Sequence, residues 1–235
     1  INSALDADVG VRDVFEAPTV RALAARIARE TAGGEARPTV AVPRRPDPVP
    51  LSWAQHRMWL LNQFDPSSPA TNVAMIVRLS GDLDVDALTA ALADVVERHE
   101  SLRTRYPYGD TGPTQVIVGA GHVAQLTVST SDDPVPGQIS ELVSAGFDVP
   151  AEVPMRARLF ALGDREHVLV VVVHHIAADG FSMVPLARDV LTAYTARSEG
   201  CAPGWEPLPV QYPDYTVWQR ELLGSQDDPH SLLSR

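Results

Sequence analysis

Leu169 to Val173 are five consecutive apolar residues that run directly into His174-His175-Ile176-Ala177-Ala178-Asp179-Gly180. A short unbroken apolar run of this kind reads as a buried strand. Beyond the glycine, Met183, Leu186, Ala187, Val190, Leu191 and Tyr194 recur at helical spacing. The chain therefore leaves a buried strand, presents an imidazole at its end, turns sharply and enters a helix. Side chains at the carboxyl end of a buried strand are fixed by the sheet yet left open by the turn, which is where α/β folds place chemistry.

The rest of the pattern supplies partners for that strand. Ser52 with Gln55 fits a capping box ahead of a helix containing Trp53, Met58, Trp59 and Leu61. Asn72 to Leu79 is rich in β-branched residues and reads as a strand. Asp84 is placed to cap a helix that puts Leu88, Ala91, Leu92, Val95, Val96 and His99 on one face. Strands are expected at 102–106, 115–118, 126–128, 155–162 and 167–175, with helices at 138–145 and 213–223. This mixture predicts an α/β (α+β mixed) fold with a largely buried sheet flanked by helices.

Two stretches precede that body. Residues 1–30 read as a small helical piece, with Thr19 as a cap and Val20, Leu23, Ala24 and Ile27 on one face. Thirty residues cannot enclose a core, so the piece is expected to be a fragment. Residues 31–50 carry Gly33-Gly34 and five prolines from Pro38 to Pro50 and read as an extended linker. Both chain ends read as cut from something longer.

Charge and composition exclude several classes. A formal net charge of −11 disfavours nucleic acid or an anionic membrane as partner. Apolar runs fall short of the roughly 18 residues of a spanning helix. The single cysteine, Cys201, suits a reducing compartment, and a cytoplasmic location is expected.

Adjacent strand residues face opposite ways, so His174 and His175 do not readily share one metal ion, and no metal site is expected. One ring should face a cavity while the other packs. Asp179 lies across a turn that Gly180 would permit through a positive φ. Asp179 would then orient the ring or brace the turn by pairing with a cation. The alternative is that both histidines are satisfied core residues and Asp179-Gly180 is only a turn. His99, on an apolar helix face, reads as a core histidine. Arg98 and Arg103 read as solvated, or else one of them is a buried partner for Asp179.

Four stretches taken together resemble the condensation domains of nonribosomal peptide synthetases. They are Ser52-Trp53-Ala54-Gln55-His56-Arg57-Met58-Trp59-Leu60; Arg98 to Thr104; His174 to Gly180, continuing through Phe181-Ser182-Met183; and Tyr212-Pro213-Asp214-Tyr215-Thr216-Val217-Trp218. The first 30 residues, including Val14-Phe15-Glu16-Ala17-Pro18-Thr19-Val20, are similar to the end of a peptidyl carrier protein whose phosphopantetheine serine would lie upstream of Ile1.

That resemblance implies a chloramphenicol-acetyltransferase-like lobe over residues 51–235, the first of a pair that enclose a tunnel. It implies amide formation between a thioester on an upstream donor carrier and an amine on a downstream acceptor carrier, delivered on 4'-phosphopantetheine arms. No cofactor would be bound directly. His175 would be catalytic, His174, Asp179 and Gly180 supporting, and Arg103 the partner of Asp179. The direct run from carrier to lobe, without an epimerase between them, implies an L-configured donor. Two other roles stay open: a non-catalytic half that docks carrier proteins, and a coenzyme A-dependent acyltransferase of the same superfamily.

Overall fold

The computed structural model describes residues 9, 11–31, 40, 44–122, 126–129, 135–224, 228 and 231–234. The chain divides into two compact units, Ile1–Thr39 and Val40–Arg235. The first holds helices α1 (Val11–Glu16) and α2 (Val20–Thr31). Thr19 Oγ1 accepts the Ala22 N–H at 3.2 Å, so the expected cap is made. Arg26 of α2 holds Asp13 and Glu16 of α1, the latter at 2.7 Å. Phe15 and Val20 are largely exposed. Residues 1–8 and 10 of the expected carrier fragment lie outside the described residues.

Most of the expected linker, 32–39 and 41–43, also lies outside them. From Arg45 onward, however, the chain is built into the second unit rather than acting as linker to Pro50. The Arg45 guanidinium forks onto both Asp214 carboxylate oxygens, at 2.7 and 3.0 Å, and onto Glu100 at 2.7 Å. Strand β1 (Val49–Pro50) pairs with β5 (Gly112–Ile117). The two short strands β3 (Thr104–Arg105) and β4 (Tyr108–Gly109) also pair with β5, completing a small antiparallel sheet.

The main sheet has the order β2-β8-β7-β6, from β2 (Asn72–Ser80), β6 (Thr127–Ser129), β7 (Met155–Gly163) and β8 (Glu166–His174). It is mixed: β6 runs parallel to β7, and the other pairs are antiparallel. Strand β8 is central and covered on both faces, which explains its unbroken apolar run. Leu169, Val171 and Val173 pack with α4 (Val85–Arg98) and α6 (Met183–Ser198). Val170 and Val172 face the other way, toward Trp59 of α3 (Trp53–Phe64), Leu142 of α5 (Val135–Ser144), Tyr106, Phe147 and Phe160. The last helix, α7 (Tyr212–Leu223), lies beyond a long connection from α6.

One expected strand changes type. Over 102–106 the chain instead makes a 3-10 turn, Glu100–Arg103, before the two-residue strand β3. Leu102 N–H closes onto His99 O at 3.1 Å, and Thr104 Oγ1 donates to Glu100 O at 2.7 Å. Local hydrogen bonds of this kind compete with ladder pairing.

Candidate functional site

The end of β8 separates the two histidines. The His174 ring is fully buried, edge-on to Phe147 with ring centroids 6.0 Å apart. Its Nδ1 accepts the Ile176 N–H at 3.0 Å, so Nε2 carries the hydrogen and donates to Thr71 Oγ1 at 2.8 Å. Burial, reinforced by the neighbouring His175, pushes its pKa down to about 4. His174 is thus a neutral brace with both nitrogens occupied. His175 lies one residue past the strand, and its main-chain N–H, not its ring, ties down the turn by donating to Thr71 O at 2.8 Å. The His175 side chain is exposed and lines an open cavity of about 480 Å³.

That cavity gathers all four sequence stretches. Gln55, Arg57 and Met58 come from the first, His99, Ser101 and Leu102 from the second, His175 to Asp179 with Ser182 from the third, and Tyr212 from the fourth. Its volume falls in the range of small-molecule sites, about 300–1,000 Å³.

A buried polar network explains the convergence. Ser52 and Gln55 exchange both bonds of the capping box at 3.1 and 3.0 Å, and Ser52 Oγ lies 3.0 Å from Tyr212 Oη. Gln55 Nε2 donates to Gln115 Oε1 at 3.3 Å, and Gln115 Nε2 donates to Pro50 O and to Thr216 Oγ1. Gln211 then joins the second stretch to the fourth, giving its Nε2–H to Arg98 O at 2.8 Å and taking the Glu100 N–H at 3.2 Å. Residues far apart in sequence are held by groups whose loss would leave buried polar atoms unpaired.

Three expectations about the loop need correction. Arg103 does not pair with Asp179: it donates to Val118 O at 2.8 Å and Glu97 O at 3.3 Å, which hold it against the C-terminus of α4. Asp179 is instead satisfied locally. Its Oδ1 accepts both the Ser182 hydroxyl, at 2.7 Å, and the Ser182 N–H, at 2.9 Å, while Ser182 Oγ accepts the Asp179 N–H at 3.0 Å. The Ser182 hydroxyl, more than any other group, holds the Asp179 carboxyl below the usual carboxylate range. This reciprocal pair fixes the entry to α6 as a capping box does.

Gly180 is the third correction. Its φ lies outside the left-handed region, and an added Cβ would meet no atom within 4 Å. The turn itself does not demand glycine. Gly180→Ala is therefore expected to change stability by less than about 0.5 kcal/mol. A thermal melt of the variant checks this, and a drop of several degrees would return the glycine to a backbone role.

Asp189 is the residue that sequence reasoning missed. It is buried on α6 and receives Arg98 Nε at 3.0 Å and His99 Nε2 at 2.9 Å. Arg98 also stacks over Trp205 at 4.7 Å, so it is a partly buried, paired arginine rather than a solvated one. His99 is likewise a cavity residue rather than a core histidine. The available signal was a carboxylate among Leu186, Val190 and Ala193 on the inward face of a helix, where an unpaired charge is too costly to persist.

Comparison with known proteins agrees with this arrangement. Residues 46–230 match the family model described as "Condensation domain". The chain is 43% identical over 240 residues to the dimodular nonribosomal peptide synthase of Bacillus subtilis (strain 168), covering all of this chain and 10% of that protein. It is 49% identical over 204 residues to the isonitrile lipopeptide synthase of Mycobacterium tuberculosis (strain ATCC 25618 / H37Rv), covering 84% of this chain and 8% of that one.

Among solved structures, the X-domain from teicoplanin biosynthesis, in complex with OxyB, superposes with a TM-score of 0.75 at 40% identity, over 86% of this chain and 44% of that chain. The starter condensation domain of rhizomide synthetase RzmA gives a TM-score of 0.67 at 22% identity, over 76% of this chain and 44% of that one, a likeness of fold. The mixed α/β architecture is thus the chloramphenicol-acetyltransferase-like one. With four sequence stretches meeting at one cavity and most of its length matched by one family model, the chain belongs to the condensation-domain family.

Proposed function

We propose that residues 51–235 are the N-terminal lobe of a condensation domain that joins a donor thioester to an acceptor amine, each carried on the phosphopantetheine arm of a peptidyl carrier protein. The observation that carries this reading is the exposed His175 ring in a cavity lined by all four characteristic stretches. His175 would bond the attacking amine and receive a proton as the tetrahedral intermediate collapses. Holding two tethered substrates at one point contributes to rate independently, since effective molarity from orientation reaches about 10⁵ M or more. His174 holds the strand end rigid, and Asp179 with Ser182 fixes the loop.

The chain spans under half the length of the solved chains it matches. The remainder, in this reading, is a second lobe that closes the cavity into a tunnel. Residues 1–30 would be the end of the donor carrier, with exposed Phe15 and Val20 packing on the rest of that domain. The direct run from carrier to lobe favours an L-configured donor. A cytoplasmic location accords with the chemistry, and among the described residues no helix is long and apolar enough to cross a membrane.

The likeness to an X-domain in complex with OxyB supports a second reading, a surface that docks a partner protein without catalysis. One experiment separates them. The intact parent synthetase is given donor and acceptor carriers loaded with aminoacyl groups, and carrier-bound products are read by mass spectrometry. A lengthened peptidyl product on the acceptor carrier is expected. Saturable carrier binding with no transfer would favour docking, and acyl transfer from free coenzyme A thioesters at equal rate would favour the coenzyme A-dependent role.

A further inference from the structure

We propose that His99 is a second proton acceptor in the cavity, taking the first proton from the acceptor's ammonium group before the amine attacks; this rests on the peptide-forming reading above. Two imidazoles line the cavity, His175 and His99. His99 differs from His175 in having its ring bonded to a carboxylate. Its Nε2 lies 2.9 Å from Asp189 Oδ2. An ionised carboxylate only accepts, so Nε2 bears the hydrogen and Nδ1 is left with the lone pair. Among the described residues Nδ1 has no hydrogen-bond partner, and His99 forms part of the cavity wall.

Asp189 is set for this work. Burial pushes its carboxyl up, but bonds from His99 and Arg98 outweigh that and hold it below the usual carboxylate range. The oxygen shared by Arg98 and His99 fixes the ring in one tautomer and one orientation. His99 also caps the C-terminus of α4, its N–H on Val95 O at 3.0 Å. The ring therefore sits at the carbonyl end of a 14-residue helix and beside a carboxylate. The charged and titratable groups around it are Asp189 and Arg188 from α6, Arg98 from its own helix and, elsewhere on the cavity wall, Arg57, His175, Asp179 and Tyr212.

The proton count leaves work for two acceptors. An ammonium that becomes an amide nitrogen loses two protons. The first leaves before attack, to His99 Nδ1, and passes to solvent through the open cavity. The neutral amine then adds to the thioester carbonyl, giving a zwitterion. That zwitterion loses its second proton at His175, the C–S bond breaks, and the departing thiolate takes up a proton. One proton is released overall.

The test is the pH dependence of single-turnover transfer by the intact synthetase and by its His99→Gln variant. Glutamine keeps a donor for Asp189 but offers no base to the cavity. Below the pKa of an α-amine, about 7.7–8.0, the variant must wait for solvent to deprotonate the substrate; above it the amine is already free. The expected result is a loss of roughly tenfold or more at pH 6.5 that shrinks to within about twofold at pH 9. Equal rates at every pH, or a defect of constant size across pH, would overturn the proposal. If His99→Gln fails to fold, His99→Asn is read in the same way. A wild-type synthetase that makes no peptide would remove the underlying reading instead, whereas wild-type activity with a flat ratio would remove only the role of His99.

Discussion

Replacing His175 with alanine in the intact synthetase is expected to lower peptide formation by about 10²–10⁴-fold while leaving the melting temperature unchanged. Both halves follow from where the residue sits. The ring is exposed in the cavity, and the bond that anchors this position is its main-chain N–H to Thr71 O at 2.8 Å, which alanine retains. Surface substitutions that leave such anchors intact change stability by about 0.5 kcal/mol or less. The chemistry loses a hydrogen-bonding and proton-accepting group that His174 cannot replace, because its nitrogens are committed to Ile176 and Thr71. Single-turnover transfer between loaded carriers, followed by mass spectrometry beside a melt of the same preparation, measures both. Turnover at the wild-type rate would remove His175 from the mechanism.

Elements that rest on short-range physics were legible in the sequence. The run Leu169–Val173, the Ser52–Gln55 box and the Asp84 cap all appear where neighbouring residues dictate them. The opposed faces of His174 and His175 also follow from strand geometry. What could not be read was pairing between distant residues. The sequence offers Arg98 and Arg103 as cations and Asp179 and Asp189 as anions. Only the packing of α4 against α6 selects Arg98 with Asp189 and leaves Arg103 to the carbonyls of Val118 and Glu97. The same holds for Thr71, an ordinary residue before a strand that proves to hold both histidines. Asp179 has no need of a distant partner, because Ser182 stands three residues on and bonds its carboxylate. The spacing was that of a reciprocal cap.

Acidification is expected to loosen the strand that carries the site, through His174. The unfolded imidazole takes its proton near pH 6.5, whereas the buried ring resists until about pH 4. Above pH 6.5 both states are neutral and His174 adds no pH dependence. As the pH falls from 6.5 to 4, the opened state binds a proton that the folded state refuses, and opening gains about 1.4 kcal/mol per unit. The loss is about 3 kcal/mol by pH 4 and levels off below it. Hydrogen exchange of the segment from Leu169 to Ile176 in the intact protein, corrected for intrinsic rates, measures it as a fall of roughly 10²-fold in protection. Asp179, Asp189 and Asp214 all have lowered pKa values, and the stability they contribute is lost as the pH falls further, so they add a background. His174→Asn isolates the histidine from that background. Asparagine offers an oxygen to the Ile176 N–H but does not titrate, so the variant should be less stable at neutral pH by an offset while losing the step between pH 6.5 and 4. Parallel curves for the two proteins would mean that the ring is protonated in the folded state, and that a buried neutral brace is not what holds His175 toward the cavity.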